Sequence, residues 1–285
     1  MSNPPLAPRQ PEALYCVTGW PLAQSLSPLL HNTGFSVLGI PAVYMRFAVR
    51  PEDFARFMDA ARLLPVAGAS VTLPHKTAVL PYLDEMTDQA RAVGAVNTLY
   101  WKDGRLCGGN TDVTGFLAPL AGRDLSRTSV LVLGAGGAAR AVVAGLVGRG
   151  CREVSIATAS DRSHLPLAEE FSCAPVRWGE RHDVAADLVV NATPLGMHGA
   201  LEGESPFDFS LAHLPPGAAA YDIVYNPLRT RFLTGAAEQG LATISGREMF
   251  FEQGAEQFRL WTGRDLPQEA RSALDAALDG DGGRK

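Results

Sequence analysis

The stretch SVLVLGAGGAARAVVAGLVGRG, residues 129–150, joins an apolar run to a glycine-rich turn and a second apolar run with helical spacing. In the turn, Gly134, Gly136 and Ala139 follow the spacing Gly-x-Gly-x-x-Ala. The first glycine permits a tight turn, the second lets the backbone approach a pyrophosphate, and the small third residue lets helix and strand pack closely. Free amides and the positive end of the helix dipole would meet the phosphates. The stretch therefore predicts a strand–turn–helix unit that binds a dinucleotide.

The end of the next strand, in IATASDR, bears on which dinucleotide binds. An acid at this tip would grip a ribose hydroxyl and favour NAD, but Thr158, Ala159 and Ser160 occupy the turn. Asp161 lies just beyond this turn, slightly too far along the chain for the strand tip. The next residue, Arg162, could pair with a 2′-phosphate. An ordinary loop arginine is an equally good interpretation of Arg162. We expect NADP, with NAD as the alternative.

Apolar runs and amphipathic stretches alternate on both sides of this unit. Before it, strand patterns occupy 13–20, 42–49 and 66–73, and helix patterns occupy 27–39, 51–64, 75–86 (interrupted by Pro81) and 111–122. After it, strands are predicted at 153–160, 186–197, 218–227 and 242–246, and helices at 230–240, 248–263 and 267–280. Ser27 is the expected N-cap of its helix, and Asp103-Gly104 predicts a hairpin at one edge of the first sheet. The alternation predicts an α/β fold with mostly parallel sheets.

Composition narrows the range of partners. The net charge of −5 and the pI of about 5.7 do not indicate a basic face, so we expect neither nucleic acid nor an anionic membrane as a partner. No apolar run reaches the length of a membrane span, and the proline-rich start, 1–13, lacks the pattern of a secretory signal. We expect a soluble cytoplasmic protein.

The cysteines and histidines do not suggest a metal site. Cys16, Cys107, Cys151 and Cys173 lie far apart, without metal-type or redox-type spacing, so free thiols are expected. No other histidine or acid falls at a sequence spacing from His75 that is typical of metal ligands. We expect no metal.

Eight blocks carry a resemblance to a known family. They are GWPLAQSLSPLLHN (19–32), ASVTLPHK (69–76), GAVNTL (94–99), GNTDVTGF (109–116), LGAGGAAR (133–140), NATPLGM (191–197), YDIVYNPLRT (221–230) and EMFFEQGAEQFRLWTG (248–263). In order and approximate spacing they resemble shikimate dehydrogenase, from about residue 17 to 263. The resemblance implies NADPH-dependent reduction of 3-dehydroshikimate to shikimate, in the pathway to aromatic amino acids. It also implies two α/β domains with a cleft between them: a substrate domain, 1–115, completed by C-terminal helices within 247–285, and a Rossmann domain, 116–246, that binds NADP.

The resemblance also assigns site residues. Lys76 and Asp112 match the catalytic pair, and the implied substrate-binding residues are Ser25, Ser27, Thr72, Asn97, Tyr225 and Gln253. The implied cofactor-binding residues are Gly134, Ala135, Gly136, Gly137, Ala138, Thr158, Ser160, Arg162, Thr193, Val224, Gly246 and Met249. The pair has a chemical reason: when hydride arrives at a carbonyl carbon, a nearby ammonium stabilises the charge on oxygen and supplies the proton. A carboxylate beside it holds the ammonium in place.

Three positions depart from the commonest form of the family. Gln24 replaces a histidine, and Ser70 replaces an asparagine. The Asn-Arg-Thr turn that grips the 2′-phosphate is replaced by Thr158-Ala159-Ser160, so its arginine is missing.

Other functions on the same fold are alternatives to this one. They are a quinate/shikimate dehydrogenase with relaxed or NAD preference, an enzyme for an aminated shikimate analogue, and a catalytically silent shikimate or quinate sensor. Retention of Lys76 and Asp112 argues against the sensor. A methylene-tetrahydrofolate dehydrogenase, which shares the architecture, fits poorly with the two serines and with GNTDVTGF. The expected small-molecule partner is shikimate or 3-dehydroshikimate, bound by a monomer or homodimer.

Overall fold

Two six-stranded β-sheets with packed helices organise residues 10–281, the part of the chain that this computed structural model describes. The strands of the first sheet are β1 (Ala13–Gly19), β2 (Ala42–Ala48), β3 (Val66–Val71), β4 (Glu85–Met86), β5 (Thr98–Lys102) and β6 (Arg105–Gly109). Their spatial order is β2-β1-β3-β5-β6-β4. Strand β1 pairs in parallel with β2 and β3, and β4 pairs in parallel with β6, whereas β5 is antiparallel to both β3 and β6.

The predicted hairpin forms at β5–β6. Asp103 and Gly104 connect its strands with φ angles of 50° and 75°, the left-handed values that a two-residue type I′ turn requires at both positions. The short strand β4 lies outside β6, so the hairpin sits one strand in from the edge rather than at the edge itself.

The second sheet is parallel throughout. Its strands are β7 (Ser129–Leu133), β8 (Glu153–Ala157), β9 (Ala174–Val176), β10 (Leu188–Asn191), β11 (Ala219–Asp222) and β12 (Ala242–Ile244), in the order β12-β11-β10-β7-β8-β9. All residues of β7, β10 and β11 are buried, because covered parallel sheets are apolar on both faces. The strand order reverses between β7 and β10, and ligands of such sheets bind beyond the carboxyl ends of the strands at that point. The predicted α/β class is confirmed.

Nine helices lie within residues 10–281. They are α1 (Ser27–Leu38), α2 (Phe54–Leu63), α3 (Asp88–Val93), α4 (Asp112–Leu117), α5 (Gly137–Gly148), α6 (Leu165–Phe171), α7 (Arg231–Glu238), α8 (Arg247–Thr262) and α9 (Gln268–Asp281). Ser27 is the first residue of α1, and Leu26 is its N-cap, so the predicted cap lies one residue late.

The helix predicted over residues 75–86 is wrong. This segment forms turns, a 3₁₀-helix at Leu80–Tyr82 and strand β4. Pro81 explains the failure, because it removes a backbone donor and clashes with the preceding turn of an α-helix.

The C-terminal helices cover the first sheet's helix α1. Leu274 and Leu278 of α9 pack in one buried cluster with Leu30 of α1 and Phe250 of α8. Phe258 of α8 packs with residues of β1 and β2. No helix in the described range has the length and apolar character that crossing a membrane requires. Residues 1–9, which hold most of the proline-rich start, and 282–285 lie outside that range.

Candidate active site

A cleft of about 430 Å³ lies between the two sheets, at the carboxyl ends of their parallel strands, and residues from both units line it. All predicted catalytic and substrate-binding residues line it: Ser25, Ser27, Thr72, Lys76, Asn97, Asp112, Tyr225 and Gln253. Seven predicted cofactor residues also line it: Ala135, Gly136, Gly137, Ala138, Thr193, Val224 and Met249. The other five predicted cofactor residues lie outside its lining: Gly134, Thr158, Ser160, Arg162 and Gly246.

Lys76 and Asp112 form an ion pair in this cleft. Lys76 stands in the loop after β3, and Asp112 begins α4 just after β6. Lys76 Nζ donates to Asp112 Oδ2 at 2.6 Å, and the two side chains are only 13% and 6% exposed. The pair is nearly closed to bulk water yet opens on the cleft, so its charges act at short range on whatever binds there.

Asn97 fixes the carboxylate from the other side. Its Nδ2 donates to Asp112 Oδ1 and to Thr111 Oγ1, both at 2.9 Å. Its Oδ1 accepts from the backbone N–H of Thr111 and from the hydroxyl of Thr98, both at 2.8 Å. Both carboxylate oxygens of Asp112 are therefore hydrogen-bonded, which holds the ion pair in one orientation.

Two serines and a tyrosine meet at the N-terminus of α1. The hydroxyl of Ser25 lies 3.3 Å from that of Ser27, and the backbone N–H of Leu26 donates to Tyr225 Oη at 3.4 Å. The first turn of α1 contains no acid. The two serine hydroxyls and the positive end of the helix dipole favour a carboxylate at this end of the cleft.

The glycine turn before α5 fits a pyrophosphate. Gly134 has φ of +121°, and a Cβ there would lie 2.7 Å from the carbonyl oxygen of Ala192, so only glycine suits this position. A Cβ at Gly136 would meet nothing within 4 Å, and no side chain caps α5. The N-terminal amides of α5 thus face open space that a phosphate can enter.

The same turn touches the ion pair. A Cβ at Gly137 would lie 2.6 Å from Cβ of Lys76, so the turn of the second sheet rests directly on the lysine of the first. The next turn of α5 makes another contact between the two units, because Arg140 Nε donates to the carbonyl oxygen of Val93 in α3 at 2.7 Å. The dinucleotide turn and the ion pair therefore form one site.

The loop after β8 holds a linked set of hydroxyls. Ser163 Oγ lies 2.7 Å from Ser160 Oγ and donates to Thr158 Oγ1 at 3.1 Å, and Thr158 also bonds His164 Nδ1 at 2.8 Å. Burial lowers the pKa of His164 and so disfavours the charged form of its ring. Arg162 is exposed at the tip of this loop.

The acid of this loop is already engaged. Asp161 Oδ1 accepts from the backbone N–H of Trp178 at 2.5 Å. The guanidinium of Arg162, by contrast, has no ion-pair partner among residues 10–281. The loop therefore presents a cation and hydroxyls, and one oxygen of its exposed carboxylate is engaged by a backbone amide.

Gly246 packs against the backbone of the loop that carries Val224 into the cleft. A Cβ there would lie 2.4 Å from the carbonyl oxygen of Ile223, and its N–H donates to the carbonyl oxygen of Val224 at 3.2 Å. The loop that carries Val224 and Tyr225 into the cleft is held at its base by Asp222, whose Oδ1 accepts from the N–H of Val224 at 3.0 Å.

Gln257, which was not predicted from the sequence, also lines the cleft and is 1% exposed. It lies four residues after Gln253 in a helix, so the two share a face, and this spacing could have indicated it. Met197, also in the lining, accepts a hydrogen bond from Gln24 across the cleft at 3.4 Å. No sequence pattern indicated that contact. Within the described range, no cluster of histidines, cysteines or acids is arranged to hold a metal ion.

Comparison with known proteins identifies the family. The sequence matches the family model "Shikimate dehydrogenase substrate binding domain" over residues 17–99 and "Shikimate 5'-dehydrogenase C-terminal domain" over 246–270. The shikimate dehydrogenase (NADP(+)) of Oleidesulfovibrio alaskensis is 51% identical, covering 95% of this chain and 98% of the relative.

Two solved structures are similar along nearly the whole chain. The shikimate 5-dehydrogenase of Thermus thermophilus, in complex with NADP(H) and shikimate, superposes with a TM-score of 0.82 at 38% identity, covering 93% of this chain and 100% of that one. The quinate dehydrogenase of Corynebacterium glutamicum, in complex with NAD, gives 0.81 at 33% identity, covering 94% and 99%. The chain therefore belongs to the shikimate dehydrogenase family.

Proposed function

We propose that this protein is an NADP-dependent shikimate dehydrogenase, which reversibly reduces 3-dehydroshikimate to shikimate in aromatic amino acid biosynthesis. One observation carries the proposal: the buried Lys76–Asp112 ion pair lies in a cleft directly beneath the glycine turn of a dinucleotide-binding unit. A sensor of the same fold would need the cleft but not a proton-transfer pair at its centre. The relative that is 51% identical to this chain is named shikimate dehydrogenase (NADP(+)).

The proposed chemistry assigns a task to each side chain. The nicotinamide ring, when bound, supplies or accepts the hydride. The ammonium of Lys76 stabilises negative charge on the substrate oxygen during reduction and donates the proton that completes the alcohol. Asp112 keeps that ammonium aimed into the cleft, and Asn97 keeps Asp112 in place. Met249, which is 6% exposed, forms part of the apolar wall that would exclude water from the nicotinamide.

Ser25 and Ser27 are proposed to bind the substrate carboxylate. They lie at the N-terminus of α1, where two hydroxyls and the helix dipole favour an anion. Thr72, Tyr225 and Gln253 line the same cleft and are proposed to contact the ring hydroxyls.

The pyrophosphate of the cofactor is proposed to lie on residues 134–138, where the turn leaves the amides of α5 open. Thr193 and Val224 line the cleft from the second sheet, and Gly246 supports the loop that carries Val224. For the 2′-phosphate we assign Thr158, Ser160 and Arg162. This assignment is supported by the hydrogen bond from Trp178 to one oxygen of Asp161, the acid of this loop, whereas Arg162 has no ion-pair partner in the described range.

A second candidate is a quinate/shikimate dehydrogenase with NAD preference. It is favoured by the absence of an arginine at positions 158–160, and a quinate dehydrogenase in complex with NAD is 33% identical to this chain. The deciding experiment measures kcat/KM for shikimate and for quinate, each with NADP and with NAD. The proposal predicts the highest value for shikimate with NADP. A higher value for quinate with NAD would replace it with the second candidate, and no activity with any pair would end both.

Location and assembly complete the proposal. The four cysteines are unpaired, which is typical of a reducing compartment such as the cytoplasm. One chain supplies both walls of the cleft, so a monomer or a homodimer would be equally competent.

A further inference from the structure

Gln257 connects the C-terminal helix α8 to the ion pair through a series of buried hydrogen bonds. Its Oε1 accepts from the hydroxyl of Ser70 at 2.8 Å, and Ser70 in turn accepts from Tyr44 Oη at 2.6 Å. Its Nε2 donates to Thr98 Oγ1 at 3.0 Å and to the carbonyl oxygen of Asn97 at 3.1 Å. Thr98 bonds the side chain of Asn97, which holds Asp112. All the residues of the series from Tyr44 to Asp112 are at most 6% exposed.

One backbone group fixes the direction of the whole series. The N–H of Thr111 can only donate, so the Asn97 atom that accepts from it must be the oxygen. Thr98 must then donate to that oxygen and accept from Gln257. The other end of the Gln257 amide is therefore its oxygen, which requires Ser70 to donate.

Gln257 thus has one hydrogen-bonding arrangement. It anchors both the backbone and, through Thr98, the side chain of the residue that orients Asp112. We infer that Gln257 is a positioning residue for the Lys76–Asp112 pair, holding Asn97 so that its amide points at the carboxylate. This inference rests on the proposed function.

The first test replaces Gln257 with methionine, which has a similar volume and lacks both polar ends. Losing all three hydrogen bonds of Gln257, two of which lead to Asn97, should loosen Asn97. The kcat for shikimate oxidation should therefore fall about tenfold, with KM for shikimate within about twofold. A rise in KM with unchanged kcat would contradict the inference, because it would mean that Gln257 contacts substrate rather than positioning the pair.

The second test uses Gln257→Glu, whose second oxygen can donate to Thr98 or Asn97 only when the carboxyl is protonated. Burial beside these acceptors raises the pKa of such a carboxyl. The kcat of the variant divided by that of the wild type should be highest at low pH, where the protonated carboxyl replaces one of the two donors, and should fall across about pH 6 to 9, the range in which strongly buried glutamates titrate. A ratio that does not change with pH would overturn the inference.

The groups that could titrate near Gln257 are His31, Tyr44 and the ion pair itself. In the wild type, burial lowers the pKa of His31 to about 3 and raises that of Tyr44, so both are neutral over the measured range.

Trp261→Phe is the matched control. Trp261 lies one turn further along α8, and its indole N–H donates to the carbonyl oxygen of Leu99 in β5 at 2.9 Å. The substitution therefore removes a hydrogen bond between the same helix and strand, but this hydrogen bond is not connected to Asn97. Its kcat ratio should stay flat with pH, and a slope equal to that of Gln257→Glu would refute the inference.

The two hypotheses fail in distinguishable ways. A wild-type protein without activity on shikimate and NADP refutes the proposed function. An active wild type with Gln257→Met at the wild-type kcat refutes only the role of Gln257. If Gln257→Met does not fold, as judged by thermal unfolding, the pH-dependent ratio of Gln257→Glu decides.

Discussion

The carboxylate of Asp112 makes two interactions that a neutral side chain cannot make together. It balances the charge of Lys76 at 2.6 Å and accepts from Asn97 at 2.9 Å. Both groups are mostly buried, so removing the negative charge leaves a desolvated ammonium without its partner.

Asp112→Asn should therefore lower kcat by roughly 100-fold or more, within the range that general acid–base groups contribute. The substitution is nearly isosteric, so thermal unfolding should confirm that the variant folds. Steady-state kinetics with shikimate and NADP measures the effect. Near-normal turnover would remove Asp112 from the mechanism.

Asp222 gives a second prediction at the residue scale, in folding stability. It is fully buried at the end of β11, and burial raises the pKa of its carboxyl to about 7. The folded state then holds a proton that the unfolded chain releases from about pH 4 upward. The contribution of Asp222 to stability is therefore full at low pH, falls as pH rises towards 7, and levels off above it.

Asp222→Asn should remove this dependence. Its amide oxygen can still accept from Asn191 and Val224, and its nitrogen can donate to Thr230, so the fold should persist. Buried His31 acts with the opposite sign, because its pKa is lowered to about 3, but it is present in both proteins. The free energy of unfolding of the variant minus that of wild type should increase by about 2–4 kcal/mol as the pH rises from 5 to 8, measured by urea unfolding. An unchanged difference would contradict the raised pKa.

At the element scale, the turn before α5 has to serve a ligand on one side and a lysine on the other. Gly136 faces open space, whereas Gly137 rests on Lys76. The two adjacent glycines therefore predict different defects when each is changed to alanine.

Gly137→Ala should push the turn away from Lys76 and lower both the melting temperature and kcat, because a Cβ at 2.6 Å from another Cβ forces the backbone to move. Gly136→Ala should fold normally and raise KM for NADP, because its methyl would occupy the space proposed for the phosphates. Gly148→Ala, at the end of α5 with nothing within 4 Å, is the control and should be neutral or stabilising by up to about 1 kcal/mol. Equal effects of the two turn variants would contradict this assignment of the two faces.

The elements that the sequence predicted correctly are those with strong local signals. Strand β7, the glycine turn and α5 follow from one pattern, and Asp103-Gly104 specified its hairpin. The helices α3 and α6 were missed because, at six and seven residues, they are too short for a helical period to emerge. Residues 75–86 have apolar spacing, but Pro81 outweighs it.

At the scale of the whole molecule, α9 is joined to the substrate side of the cleft by apolar packing. Leu274 is completely buried against Leu30 of α1 and Phe250 of α8. Helix α1 carries Ser27, and α8 carries Met249, Gln253 and Gln257. The last helix thus supports the elements that line the cleft without entering it.

Leu274→Ala should destabilise the protein by about 2–5 kcal/mol, the cost of a buried leucine cavity, and should lower the melting temperature. At 25 °C, kcat for shikimate should stay within about twofold of wild type, since no cleft residue is changed. Leu211, which is 60% exposed, offers a matched control, and Leu211→Ala should change stability little. A large loss of kcat in a folded Leu274→Ala variant would mean that α9 sets the geometry of the cleft.

The alternation of strand and helix patterns predicted the fold class. The family resemblance predicted the catalytic and substrate-binding residues that meet in the cleft, because its blocks are long and ordered. Contacts between residues far apart in sequence could not be predicted. Gln24 with Met197, Gly137 with Lys76, and Gln257 with Ser70 depend on how the two sheets and α8 approach one another. No local period encodes that approach. The boundaries at residues 115/116 and 246/247, and the roles of single site residues, remain predictions.

The most direct measurement concerns Lys76, since the account depends on its ammonium acting at the substrate oxygen. Lys76→Met retains most of the volume and removes the charge. The account predicts that kcat for shikimate oxidation with NADP falls roughly 100- to 10,000-fold, while the dissociation constant of shikimate, measured by calorimetry, changes by less than about tenfold. Turnover at the wild-type rate by a folded Lys76→Met protein would contradict the account.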